Sequence, residues 1–382
     1  MRIYMADTGG LPSRPRIPSY FNVVPMSGDK IQLRSAHKTV ILSGKAVGAV
    51  SKLLDLLDGT HEISEIPKFF PDIPEEEVLR TIKRLFDKGL VEETREWGEG
   101  SPGGKDESHG PQETFFSIIC RDGRIVQKIL AEARVVVFGL GRVGSHAVAS
   151  LARSGVGKIV GVDDATVDSS LPLCGELYLA EDVGRLRCEA IADRLGRINP
   201  RTQFEALKVV PHEVHEAAAI IRGAGLVLAC KDSPEVSLYR TVNEASLKET
   251  VPWLRASLEG FEAHLGPSVI PRETACYTCY EMRSKGNWAH YEENLAFEQY
   301  LASSPRKADY GCLAPIAGLL GNLAAAEALK LLTGFSPPTT SGKLWIFNVN
   351  TFEAETHEVL KLPRCPSCGF SVSNPSPALW SL

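Results

Sequence analysis

The stretch Arg134–Asp164 reads RVVVFGLGRVGSHAVASLARSGVGKIVGVDD, and its reading sets the fold of everything after it. A β-branched run, Arg134 to Phe138, meets Gly139, Gly141 and Gly144 in a G-x-G-x-x-G turn. A helix-like segment, Ser145 to Ser154, and a second apolar run ending at Asp163 and Asp164 follow. This is a βαβ unit, and the mechanics of such a turn are specific. Two glycines let backbone N–H groups approach a phosphate at the helix N-terminus, the third lets helix and strand pack closely, and an acid about 20 residues on reaches a ribose. A nucleotide is therefore the first expectation; a tight strand-to-helix turn with no ligand is the alternative.

The chain has 382 residues, enough for two domains, and a formal net charge of -5, with no basic surplus to attract nucleic acid. The first residues, MRIYMADTGGLPSRPRIP, lack the apolar core of a signal peptide. The apolar segment Ala314 to Leu332 is interrupted by Asn322, Glu327 and Lys330, so no membrane span is expected and the cytoplasm is the default compartment. Nine cysteines in so long a chain suit reduced thiols and a metal site better than a disulfide framework.

Met1 to Pro18 reads as loose. From there three short strands are expected, YFNVVP, DKIQLRS and HKTVILS, with Gly28 at the first turn. Lys45 to Leu57 is the first helix, with Val47, Val50, Leu53, Leu54 and Leu57 on one face. A second helix runs from about Ile63 to Phe70. A third opens at Pro74 with acids in its first turn, its apolar face being Val78, Leu79, Ile82, Leu85 and Phe86, and Leu90 and Val91 then read as a closing strand. The pattern is a winged-helix-like domain over residues 19–95. DNA is a poor fit, because Glu75, Glu76, Glu77 and Asp87 interrupt any basic stripe. A peptide added as a strand at the sheet edge fits better, with a purely structural role for the apolar residues as the alternative. Residues 96–112 are Gly, Pro, Ser and charge, a linker, and residues 113–382 form the second domain.

In that second domain, Gly225 to Cys230 reads as a strand ending in Lys231-Asp232-Ser233. If it neighbours the first strand, Asp232 faces the glycine turn across the crevice at the carboxyl ends of the strands. Cys276-Tyr-Thr-Cys279 and Cys365-Pro-Ser-Cys368 are two C-x-x-C pairs, each half of a tetrahedral thiolate site with Zn–S of about 2.3 Å. A closed set of four leaves no position for water, so a structural zinc is expected, tying the C-terminal end to the domain body. Redox pairs are the rival reading. Cys120, Cys174, Cys188, Cys230 and Cys312 show no pairing pattern and read as small hydrophobes.

Together these residues resemble the ThiF/MoeB family, bacterial relatives of ubiquitin-activating enzymes. The resemblance rests on GLGRVGSHAV, the acids after the second strand, EDVGRLRCEAIADRLGRINP, the Asp232 turn, IPRETACYTC, GCLAPIAGLLGNLAAAEALKLLTG and RCPSCG. It implies a Rossmann-like α/β domain that adenylates a carboxyl terminus with ATP and Mg, commonly as a homodimer. The N-terminal module resembles the leader-peptide recognition domain of pathways that modify ribosomally made peptides. By that resemblance the leader lies as a strand beside Thr39, Val40, Ile41 and Leu42, with Leu79, Ile82, Lys83 and Phe86 forming the groove. Two kinds of protein share this combination: ThiF-like partners of YcaO azoline-forming cyclodehydratases, and microcin C-type enzymes that adenylate a precursor peptide.

The nucleotide pocket divides the two. Set against the family pattern, Asp163 matches the first acid, but Ala165 stands at the second. Cys174, or Leu173 one residue along, stands where a phosphate-contacting arginine is found. Arg187 replaces a lysine, and Asp232 keeps the metal-associated aspartate. Losing one preorganised cationic donor costs on the order of 10²–10³ in rate, and a planar fork is no equal of a point charge. Arg142 or Arg185 is the available substitute. The expectation is a leader-binding, YcaO-dependent component in which ATP and Mg are doubtful. A peptide adenylyltransferase is the alternative, and a dehydrogenase, resting on the glycine turn alone, is the remotest.

Overall fold

Parallel strands covered on both faces need unbroken apolar runs, and Arg134–Phe138 and Lys158–Val162 are buried at every position after the first. The structure, a computed structural model, describes residues 10–94, 109–120, 122–232, 235–303 and 311–369. The expected linker at 96–112 lies outside this set up to residue 108. The chain divides into two compact units, one ending at Val126 and the other running from Gln127.

In the N-terminal unit, β1 (Pro15–Arg16) is followed by β2 (Asn22–Met26), β3 (Lys30–Arg34) and β4 (Thr39–Ser43), the last three forming an antiparallel sheet in the order β2-β3-β4. Then come α1 (Val47–Leu56), a 3₁₀ turn (Ile66–Phe69), α2 (Glu75–Asp87) and β5 (Glu92–Glu93). Three strands and three helical segments stand in the expected order. Two details differ. The segment expected to be loose supplies β1, which pairs with β5, and Leu90 and Val91 are buried core ahead of the strand they were expected to form. The core joins Ile31 and Leu33 of the sheet to Leu53, Leu54 and Leu57, and to Val78, Ile82 and Leu85 of α2. Helix α3 (Gly110–Ile119) begins inside the expected linker and belongs to this unit, where the Tyr20 hydroxyl donates to the Ser117 carbonyl at 3.3 Å. The unit boundary then falls within α4 (Gly123–Glu132), beyond the expected start at Glu113.

The second unit is an α/β layer. It comprises β6 (Arg134–Phe138), α5 (Arg142–Arg153), β7 (Lys158–Val162), α6 (Leu171–Cys174), α7 (Arg187–Ile198), β8 (Gln203–Leu207), α8 (Val214–Ile221), β9 (Leu226–Lys231), α9 (Val236–Glu249), β10 (Trp253–Glu259), β11 (Glu262–Val269), α10 (Tyr277–Gly286), α11 (Tyr291–Ser303), α12 (Ala314–Thr333), β12 (Lys343–Asn348) and β13 (Glu353–Glu358). The sheet order is β13-β12-β11-β10-β9-β6-β7-β8. Strands β6 to β10 run parallel and β11 to β13 extend the sheet antiparallel. The chain leaves β6 in opposite directions along the sheet, so β6 and β9 flank a switch point, where the crevice of an open α/β sheet lies. Helix α12 has a mean hydropathy of 1.3 and the length to cross a bilayer, but half of that window is buried. It packs on α5 and β10, a core helix of this unit.

Ile82 is wholly buried in the N-terminal core, whereas Leu79 and Phe86 are half-buried and Lys83 is exposed. Ile82→Ala is expected to destabilise that unit by about 3 kcal/mol. Hydrogen exchange should report faster exchange of the β2 to β4 amides, with those of β6 to β9 unchanged.

Candidate functional site

The glycine turn is built as its sequence requires. Gly139 has a φ of +89°, in the left-handed region that favours glycine, and a Cβ at Gly144 would stand 1.9 Å from the Gly139 carbonyl oxygen. At the carboxyl ends of β6 and β9 a cavity of about 450 Å³ opens. Gly139, Gly141, Asp163, Arg187 and Asp232 all border it, so five of the six residues expected to form a nucleotide pocket are brought together there. Gly144 sits behind them, packing α5 against the turn.

Several polar groups in this cavity are engaged by protein partners. Asp163 accepts from the Leu140 N–H at 2.7 Å and from the Ala165 N–H at 2.8 Å. Arg187 spans Asp163 and Asp168, 3.6 Å from each. Burial works against ionisation of Asp168, but the Ser170 hydroxyl and N–H, together with Arg187, hold its carboxyl below the usual range. Lys231 is held by Glu235 at 2.8 Å. The Asp232 carboxylate accepts from the N–H groups of Arg142 at 3.0 Å and Val143 at 3.1 Å, the start of α5.

Of the two substitute arginines, Arg185 is spent elsewhere, on Asp182 at 2.9 Å and on Asp193. Arg142 turns toward α6, its Nε 3.2 Å from the Cys174 sulfur and its Nη2 3.0 Å from the Ser170 hydroxyl. Its guanidinium therefore lies against Cys174, one of the two positions expected to correspond to the family's arginine. Lys231, Glu235 and His212 also line the cavity; none was singled out from sequence, and only Lys231 had a signal, its place beside Asp232 at a strand end.

The second cluster is the tetrathiolate. The sulfurs of Cys276, Cys279, Cys365 and Cys368 lie within 4.8 Å of one another. Individual separations are 3.9 Å for Cys276 to Cys279, 3.6 Å for Cys276 to Cys365 and 3.5 Å for Cys279 to Cys368. Four bonds of about 2.3 Å in a tetrahedron require sulfurs about 3.8 Å apart, so the set fits zinc. The Cys279 thiol is pulled down to about 4, chiefly by the hydrogen bond from Cys276, while Cys276 is pushed up. One early thiolate is a favourable start for a cation. Thr278 and Ser367 join the two knuckles through a hydroxyl pair at 2.8 Å.

A Rossmann-like sheet with a crevice at its switch point and a cluster of four cysteines that could hold zinc define the class as an α/β protein of Rossmann-like fold. Residues 110–369 match the model of the ThiF family, and the chain belongs to that family. It is 30% identical over 259 residues to the sulfur carrier protein ThiS adenylyltransferase of Escherichia coli (strain K12), covering 67% of this chain and 93% of the relative. It also resembles solved structures of E. coli MccB with ATP (19% identical, TM-score 0.70) and of the microcin C7 biosynthetic enzyme MccB with N-formylated MccA (20% identical, TM-score 0.71). Each covers 93% of this chain and 99% of the other, so the likeness in fold takes in most of the N-terminal unit. Membership of a family with a named adenylyltransferase weighs against the doubt about ATP drawn from Ala165 and Cys174.

Two outcomes are expected. Purified chain should carry about one zinc per molecule and Cys365→Ser almost none, read by atomic emission. Asp182 is wholly buried and bound by Arg185 and Arg194. Burial raises its carboxyl pKa, yet the Leu179 N–H and the two guanidinium groups outweigh that and lower it overall. Its stabilisation is therefore present above the unfolded value near 4 and lost as pH falls through the folded one. Asp182→Ala should cost about 3 kcal/mol at pH 7, measured by urea unfolding, with a gap to the native chain that narrows below about pH 4.

Proposed function

We propose that this chain is the peptide-capturing component of a pathway that modifies a ribosomally made precursor. It binds the leader at the N-terminal unit and presents the rest of the peptide to a separate YcaO-type enzyme, which uses ATP to close Cys, Ser or Thr side chains into azolines. The single observation that carries this reading lies in the cavity. Arg187 and Lys231, the arginine and lysine on its wall, are both committed to carboxylates, and the head of α5 is taken by Asp232. A triphosphate would meet few unengaged donors there, and adenylation depends on such donors for its transition state.

The N-terminal unit supports the peptide half of the proposal. Among the described residues β4 pairs only with β3, so its outer edge presents backbone groups to an added strand. Lys38, just before β4, reaches the Lys88 carbonyl at the end of α2 at 2.6 Å, which keeps strand and helix close. Leu79, Lys83 and Phe86 of α2 then offer the side-chain groove, with Ile82 as its floor from within the core. The winged-helix-like character, the structural zinc and a homodimer belong to the same proposal.

Adenylation of the precursor by this chain itself is the second reading. It is favoured by the family, by the likeness to MccB bound to ATP, and by the position of Arg142 against Cys174.

Capture is tested by titrating a labelled leader peptide into the full chain. Leu79→Arg and Phe86→Ala should each weaken binding about tenfold or more without altering zinc content. Unchanged affinity in both variants, or no binding by the native chain, would refute leader capture.

A further inference from the structure

We propose that Asp232 is a built-in anion, its carboxylate occupying the seat at the head of α5 that would otherwise take a phosphate, so that the cavity stays closed to phosphate groups. This rests on the reading of the ThiF-like unit as a non-adenylating scaffold.

The first turn of a helix offers N–H groups with no intrahelical partner, and these are what hold an anion there. Both oxygens of Asp232 take successive members of that set, Oδ2 from Arg142 at 3.0 Å and Oδ1 from Val143 at 3.1 Å. Gly141 makes room for this. A Cβ at that position would lie 2.1 Å from Oδ2, so the glycine that elsewhere lets a pyrophosphate approach here admits a carboxylate. The surroundings do not offset the added charge. Asp163, Asp164 and Glu235 also line the cavity, against Arg187 and Lys231, and those two cations are engaged. Phosphate entering this cavity would have to displace Asp232 or accept a like charge at contact distance.

Family resemblance assigns this aspartate to the metal that accompanies ATP, and the two accounts predict opposite signs for its removal. If Asp232 fills the seat, removing it opens a phosphate site; if it serves the metal, removing it weakens nucleotide binding.

The experiment is calorimetric titration of pyrophosphate, without magnesium, into the full native chain and into Asp232→Ala. The native chain should give no saturable binding. The variant should bind at least about tenfold more tightly, and pyrophosphate should raise its melting temperature but not that of the native chain. Asp232→Asn, which removes the charge and keeps the shape, should fall between them, and carries the same comparison if the alanine variant does not fold. Equal binding, or tighter binding by the native chain, overturns the proposal. Failure of the two readings is distinguishable. Pyrophosphate released from ATP by the native chain with precursor would sink the scaffold reading. No gain in either variant, with no such turnover, would sink the role of Asp232 alone.

Discussion

The head of a helix at the centre of a parallel sheet needs negative charge, and here the chain supplies it from 90 residues away. Asp232 at the end of β9 meets the first N–H groups of α5, which is possible only because β9 lies directly beside β6, with Phe138 opposite Ala229. The glycine turn, the adjacency of the two strands and the aspartate are therefore one arrangement. Altering any member changes the others: a side chain at Gly141 would collide with the carboxylate, and one at Gly144 with the turn itself.

A second long-range tie works at the other end of the sheet. Strands β11 to β13 form an antiparallel extension, and after β13 the chain returns so that Cys365 and Cys368 meet Cys276 and Cys279. Three of these four cysteines are buried and lie in the same apolar cluster as Tyr239, Trp253 and Tyr277. A metal there would fasten the start of α10 to the C-terminal knuckle without an open position for chemistry.

Much of this was legible in the sequence, for identifiable reasons. Buried parallel strands demand continuous apolar runs, so β6, β7 and β9 could be read directly, and paired C-x-x-C motifs announce themselves at any separation. The three strands and amphipathic helices of the N-terminal unit show the periods expected of them. Other features leave little trace. Pro15–Arg16 and Glu92–Glu93 are two-residue strands without periodicity, and their pairing follows from the packing of the segments around them. Helix α3 starts at a Gly-Pro pair that reads as linker. The antiparallel extension was not anticipated, although Gly260-Phe261 between two apolar runs is a hairpin signal. Least legible was the pairing inside the cavity. Five of the six expected residues border one cavity, but whether a carboxylate holds a ribose, a metal or the protein's own N–H groups depends on distances that spacing does not encode.

Capture of a precursor for another enzyme and modification of it by this chain alone leave different products. The most direct measurement follows the mass of the precursor peptide after incubation with ATP and Mg, with this chain alone, with a YcaO-type enzyme alone, and with both. Loss of water from the peptide only when both are present, with no adenylated species in any mixture, is the predicted result. An adenylated precursor formed by this chain alone, or water loss that is the same in its absence, would contradict it.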